Sequence, residues 1–181
     1  AVIAKIFMFG EANPLVYLCF LITPFVHMKS RKMIELSHVT GSDDDIAYLY
    51  RQIKGRKHSI SHKQVPTYEE HAQFVKAHPY RNWFIVKDGP NHLGSVYIQF
   101  DNSLGLNLID GISIDQLKQI IDMVQTLLSP LPAIPSIRFG GYFCNISVSN
   151  VSLQNMLLSL GFEEKQRTYV LNNNLVNERD V

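Results

Sequence analysis

Asn150-Val-Ser-Leu-Gln-Asn-Met-Leu-Leu-Ser-Leu-Gly161-Phe162 runs into Gln166-Arg-Thr-Tyr169-Val-Leu171. Asn150 or Ser149 can cap a helix, because a short polar side chain there accepts from an N–H of the first turn. Val151, Leu153, Met156, Leu157 and Leu160 supply its apolar face. Gly161 takes the left-handed residue that ends it, leaving Phe162 free to fold back on the last turn. A strand over Gln166–Leu171 is expected to follow.

Upstream, Met33-Ile-Glu-Leu-Ser-His-Val-Thr40 alternates apolar and polar residues as a first strand, and Ser42-Asp-Asp-Asp45 opens a helix from about Asp43 to Lys54. Thr67-Tyr-Glu-Glu70 is a capping box beginning a second helix that stops before Pro79. Strands over Asn82–Lys87, His92–Phe100 and Leu104–Ile109 are joined by short polar turns and form an antiparallel meander. A second capping box, Ser113-Ile-Asp-Gln116, starts the clearest helix, with Ile114, Leu117, Ile120, Ile121, Val124, Leu127 and Leu128 on one face. Ser136–Ile146, interrupted by Gly140-Gly141, is the next strand. The order β, α, α, β, β, β, α, β, α, β defines an α+β (mixed α/β) domain: a central mixed, mostly antiparallel sheet flanked by about four helices.

This order, the Asn-capped helix ending in Leu-Gly-Phe, Val65-Pro-Thr-Tyr-Glu-Glu-His71 before the Trp83 strand, and Gly94-Ser-Val-Tyr-Ile98 before Asn102-Ser-Leu-Gly105 together resemble the GNAT superfamily of N-acetyltransferases over about Met33–Leu171. The resemblance implies acetyl-CoA as co-substrate and a primary amine of a small molecule, an amino sugar among the candidates, as acceptor. It implies a pantetheine slot formed by the backbone of Asn107, Leu108 and Ile109 opposite Gly140-Gly141. Gly111 and Ser113 stand at the end of the pyrophosphate loop, and Asn150 at a cofactor-contacting helix start.

Departures from the family pattern are equally visible. The Gly-rich loop is cut to Asp110-Gly-Ile-Ser113, and Asp110 adds negative charge where phosphates would lie. Ser103 stands where relatives place an acidic base, and Leu157 where they place a tyrosine acid. No catalytic residue is assigned; Glu69, Glu70, His71, Tyr97, Asp101, Tyr142 and Tyr169 are the available substitutes. Binding of acetyl-CoA is therefore expected to be weak, and a catalytically inactive GNAT-fold binding module is the alternative function.

The 181 residues are 46% hydrophobic and 18% charged, with a formal net charge of +1, which suits one globular domain and gives no general attraction to nucleic acid. Lys54-Gly-Arg-Lys-His58 is a local basic cluster, read first as a solvated helix end and loop. Two cysteines, Cys19 and Cys144, fit neither a disulfide framework nor a zinc site, and His58 with His62 lies in a loop without further ligands, so no metal is expected. Residues 1–27 form an apolar extension, and the domain is expected over 28–181. The extension reads as an appendage, a membrane anchor or translation upstream of Met28 or Met33. Membrane contact is not favoured, because Pro24 interrupts a run shorter than the ~20 residues a span needs. Without a signal-peptide pattern, a cytoplasmic location is expected, and the Asn145-Ile-Ser147 and Asn150-Val-Ser152 triplets read as accidental.

Overall fold

Capping chemistry places the helices. In the computed structural model, which describes residues 34–60 and 64–169, Ser42 caps α1 (Asp43–Gly55), Thr67 and Glu70 close a capping box on α2 (Tyr68–Lys76), and Ser113 and Gln116 close another on α3 (Ile114–Leu127). Asn150 caps α4 (Val151–Ser159) by accepting from the Leu153 N–H at 3.2 Å. Its C-terminus is a Schellman turn: Phe162 N–H donates to Leu157 O and Gly161 N–H to Leu158 O, with Gly161 at φ +90°.

The strands β1 (Ile34–His38), β2 (Asn82–Asp88), β3 (Asn91–Ile98) and β4 (Ser103–Leu108) form an antiparallel meander, and β5 (Phe143–Cys144) joins β4 in parallel. The described sheet thus runs in the order β1-β2-β3-β4-β5. Both faces are covered, which explains why Trp83-Phe-Ile-Val86 is apolar without alternation. Trp83 and Ile85 pack with Ile46, Leu49 and Val75 of α1 and α2, whereas Phe84 and Val86 pack with Ile120 and Val124 of α3. Leu153 and Leu157 of α4 meet Leu117 and Ile121 of α3. The described residues fall in one compact unit. This is the expected mixed, mostly antiparallel sheet with four helices.

Three local expectations are corrected. The strand expected over Ser136–Ile146 is confined to Phe143–Cys144, because Ser136 takes φ +61°, Ile134 and Arg138 bridge in a tight turn, and the chain to Phe139 is tied to Asn102. The final strand is absent over Gln166–Tyr169: Lys165–Glu163 and Arg167–Glu164 ion pairs hold a solvated, irregular path, and a two-residue β5 offers little edge to copy. Val170 and Leu171 lie outside the described residues, as do residues 1–27, Cys19 and His62. Val151 is 57% exposed, since it shares with Leu158, seven residues on, the side of α4 away from Leu153 and Leu157.

Candidate functional site

A tightly held asparagine sets where β4 and β5 meet. Asn102 is fully buried at φ +73°, a conformation asparagine adopts more readily than most residues. Its Nδ2 donates to Leu131 O and Phe139 O, both at 2.8 Å, and its Oδ1 accepts from Leu131 N–H at 2.7 Å. Its own carbonyl accepts from Phe143 N–H. The segment entering β5 is thereby fixed beside the start of β4.

The parallel ladder has only the pairs Ser103↔Phe143 and Leu104↔Cys144. Beyond them β4 continues to Leu108 with no strand on that edge among the described residues. Pleating decides which backbone groups face the gap. Gln99 N–H donates to Ser103 O, and Ile109 N–H donates to Leu93 O, so the odd-numbered residues of β4 turn toward β3. Leu106 and Leu108 therefore present their N–H and C=O groups to the open edge. Asn107 and Ile109, expected in that role, do not: the Asn107 carbonyl accepts from Gln52 Nε2 at 2.7 Å, and the Ile109 N–H is taken by β3. Gly140 and Gly141 precede β5, so the parallel register puts the chain after Cys144, not these glycines, across from Leu106 and Leu108.

A cleft of about 290 Å³ lies on the α4 side of this gap. Leu106, Leu108, Leu153 and Met156 line its apolar part, and Lys57, His58, Asp110, Gly111, Asn150 and Ser152 its polar part. Of the sequence candidates, Leu108, Ile109, Gly111 and Asn150 come together here. Asn107 and Ser113 are not among the lining residues. Ser113 is occupied with its capping box, and Gln116 reaches on to Asp88 Oδ2 at 3.0 Å. Asn150 uses its Oδ1 as a helix cap, the plainer of its two readings.

The turn from β4 to α3 is open. Gly111 is at φ +82°, with no atom within 4 Å of where a Cβ would stand. Asp110 points outward to Lys57, its Oδ2 2.5 Å from Nζ, and this pairing lowers the Asp110 pKa and raises that of Lys57. His58 Nδ1 lies 2.8 Å from Ser149 Oγ at the start of α4. Residues 57 and 58 thus reach both the β4–α3 turn and the α4 N-terminus. The basic cluster was legible in the sequence, but its place at the cleft depends on the path of the chain after α1.

Ser103 and Leu157, where the resemblance sets a base and an acid, are both buried. Ser103 is 2% exposed with its Oγ unpartnered among the described residues, and Leu157 is core. Glu70 is the capping residue and Tyr142 Oη donates to Leu128 O. Burial pushes the Cys144 thiol up to about 12, so it is no nucleophile at neutral pH. Among the described residues no group of three metal-ligating side chains forms, and no helix is long and apolar enough to cross a membrane.

No protein-family model and no curated protein matches the sequence. Similar solved structures do. An acetyltransferase from Thermus thermophilus superposes with TM-score 0.54 at 17% identity, over 72% of this chain and 87% of that one. A dodecameric spermidine N-acetyltransferase from Vibrio cholerae gives 0.50 at 14%, over 74% and 81%. The possible acetyltransferase from Clostridium difficile 630 gives 0.51 at 10%, over 78% and 97%. With the meander, the parallel β5 and the parting of β4 from it, these likenesses establish that the chain has the GNAT acetyltransferase fold.

Proposed function

We propose that this chain binds acetyl-CoA in the cleft between β4 and α4 and transfers the acetyl group to a primary amine of a small molecule. The observation that carries the reading is the ladder that ends after Leu104–Cys144, leaving the backbone of Leu106 and Leu108 unpaired among the described residues beside an apolar slot. A pantetheine arm carries amides that can pair with such an edge as an added strand does. Leu153 and Met156 give its methylene groups an apolar wall. Phosphates would meet Lys57, the open backbone at Gly111 and the positive end of α3, whose dipole favours anions. Asn107 and Ser113 support the slot rather than line it, and Ile109 lines it while its N–H is given to β3.

The reaction joins the amine nitrogen to the thioester carbonyl carbon and expels the CoA sulfur. The acceptor is an amine because the fold's named acetyltransferases include one acting on spermidine; amino sugars and polyamines are the first classes to assay. Calorimetry with acetyl-CoA, followed by thiol release with a panel of amines, tests the reading. Saturable binding with amine-dependent thiol release supports it. The burial of Ser103 and Leu157 favours a second reading, a module that binds acetyl-CoA without transferring it, and binding with no release from any amine would select that. No binding at millimolar ligand would refute both.

A further inference from the structure

The chain leaving α1 touches both walls of the cleft at its polar end. Lys57 and His58 are among the residues that line it. Lys57 Nζ lies 2.5 Å from Asp110 Oδ2, in the turn that follows the β4 wall. His58, the next residue, has Nδ1 2.8 Å from Ser149 Oγ, just before the α4 wall, and Ser149 Oγ lies 3.0 Å from Ser147 Oγ. Residues 57 and 58 therefore form a strap from the end of β4 to the start of α4, tied by one side chain at each side.

The two ties differ in what they hold. The His58 tie is a hydrogen bond between a ring nitrogen and a hydroxyl. The Lys57 tie is an ion pair whose side chains are 71% and 61% exposed, so water and salt screen it and it contributes little net stability. A phosphate offers the same ammonium group more charge and more acceptor oxygens than a carboxylate does. Of the described residues that line the cleft, Lys57 is the one lysine or arginine.

We propose that residues 57–58 are a latch across the polar end of the cleft, opened by charge exchange when a phosphate of the ligand takes Lys57 from Asp110. This rests on the reading that the cleft binds acetyl-CoA. Asp110 is then the partner that keeps the strap in place and the competitor that a phosphate displaces. No covalent step is involved: the Lys57 ammonium passes from one anion to another, and the Asp110 carboxylate turns to water. A thioester without phosphates has nothing to exchange for Asp110 and leaves the latch shut. The latch thereby favours phosphate-bearing thioesters over those of bare pantetheine.

The test is an NMR titration of the full chain with acetyl-CoA and with S-acetylpantetheine, which carries the same arm without phosphates. The Asp110 carboxyl carbon, followed against pH, reports the partner of Asp110, because the hydrogen bond and charge of Lys57 hold its pKa low. That pKa should rise when acetyl-CoA binds and stay low with S-acetylpantetheine at millimolar concentration. Lys57→Met, at an exposed position, should weaken acetyl-CoA binding about tenfold, the scale of one charge-assisted hydrogen bond, and change S-acetylpantetheine binding less than about twofold. The tighter binding from Asp110→Asn should shrink in the Lys57→Met background, where there is no cation to release. An Asp110 pKa unmoved by bound acetyl-CoA, or an equal gain from Asp110→Asn in both backgrounds, would overturn the latch while leaving the acetyl-CoA reading intact. No binding of acetyl-CoA would overturn both.

Discussion

Replacing Asn102 with alanine removes three hydrogen bonds at once, to Leu131 N–H, Leu131 O and Phe139 O, at a fully buried position. Each such bond contributes about 1 kcal/mol net, and more where the abandoned partner stays out of water. Leu131 is half-buried and Phe139 exposed, so water can reach some of the freed groups and the lower end applies. Alanine must also hold φ +73°, at a cost of roughly 1 kcal/mol beyond asparagine. The expected loss is about 3–5 kcal/mol, a large share of the roughly 5–15 kcal/mol typical of a domain. Urea unfolding of the wild type, Asn102→Ala and Asn102→Gly measures it. Glycine relieves the backbone strain but not the lost bonds, so it should recover only about 1 kcal/mol. Hydrogen exchange at Phe143 and Cys144 should accelerate in both variants, because the same side chain fixes the approach to β5. A loss under about 1 kcal/mol, or glycine restoring full stability, would refute the view that Asn102 sets the end of the β4–β5 ladder.

Asp110→Asn removes a carboxylate from the β4–α3 turn and frees Lys57, so acetyl-CoA, expected to bind no tighter than about the upper micromolar range, should bind more tightly by calorimetry; weaker binding would show that the Lys57–Asp110 pair orders the site. Stability should decline as pH falls below about 6.5: burial lowers the His71 pKa below its ordinary value of 6.5, so the unfolded chain takes up the proton first and the stabilisation present above that pH is lost as pH drops toward the folded value. His78 and His92 shift the same way, and urea midpoints at about pH 7.5 and 5.5, either side of the ordinary histidine range, should show a shallower decline in His71→Gln than in the wild type. Gly161→Ala should cost roughly 1–2 kcal/mol in thermal or urea unfolding, since φ +90° strains a residue with a Cβ although no atom crowds it. Ser103→Glu should destabilise the fold in the same assay rather than create a base, because it would bury a carboxylate at a position 2% exposed.

Local chemistry wrote much of this fold into the sequence. Ser42, Thr67 with Glu70, Ser113 with Gln116, and Asn150 each mark a helix start, because a side chain three residues away at most settles an N–H that has no helical partner. Gly161 and Phe162 mark an end for the same reason, and the Asp88–Asn91 and Asp101–Ser103 joints mark a meander. The identities of Asp110, Ser103 and Leu157 are likewise read directly from the sequence. What the chain could not reveal alone are relations between distant segments. That Leu106 and Leu108, rather than Asn107 and Ile109, open onto the gap follows from the hydrogen-bond phase with β3. That β5 shrinks to two residues follows from Asn102 gripping Leu131 and Phe139, some thirty residues on. That Lys57 neutralises Asp110, and that the Tyr97 ring lies over Gly105, depend on contacts between strands and loops brought together only by packing. Periodicity and capping are short-range and can be read along the chain; register, strand parting and charge pairing are set by the tertiary structure, where the free energy of one segment depends on the position of another.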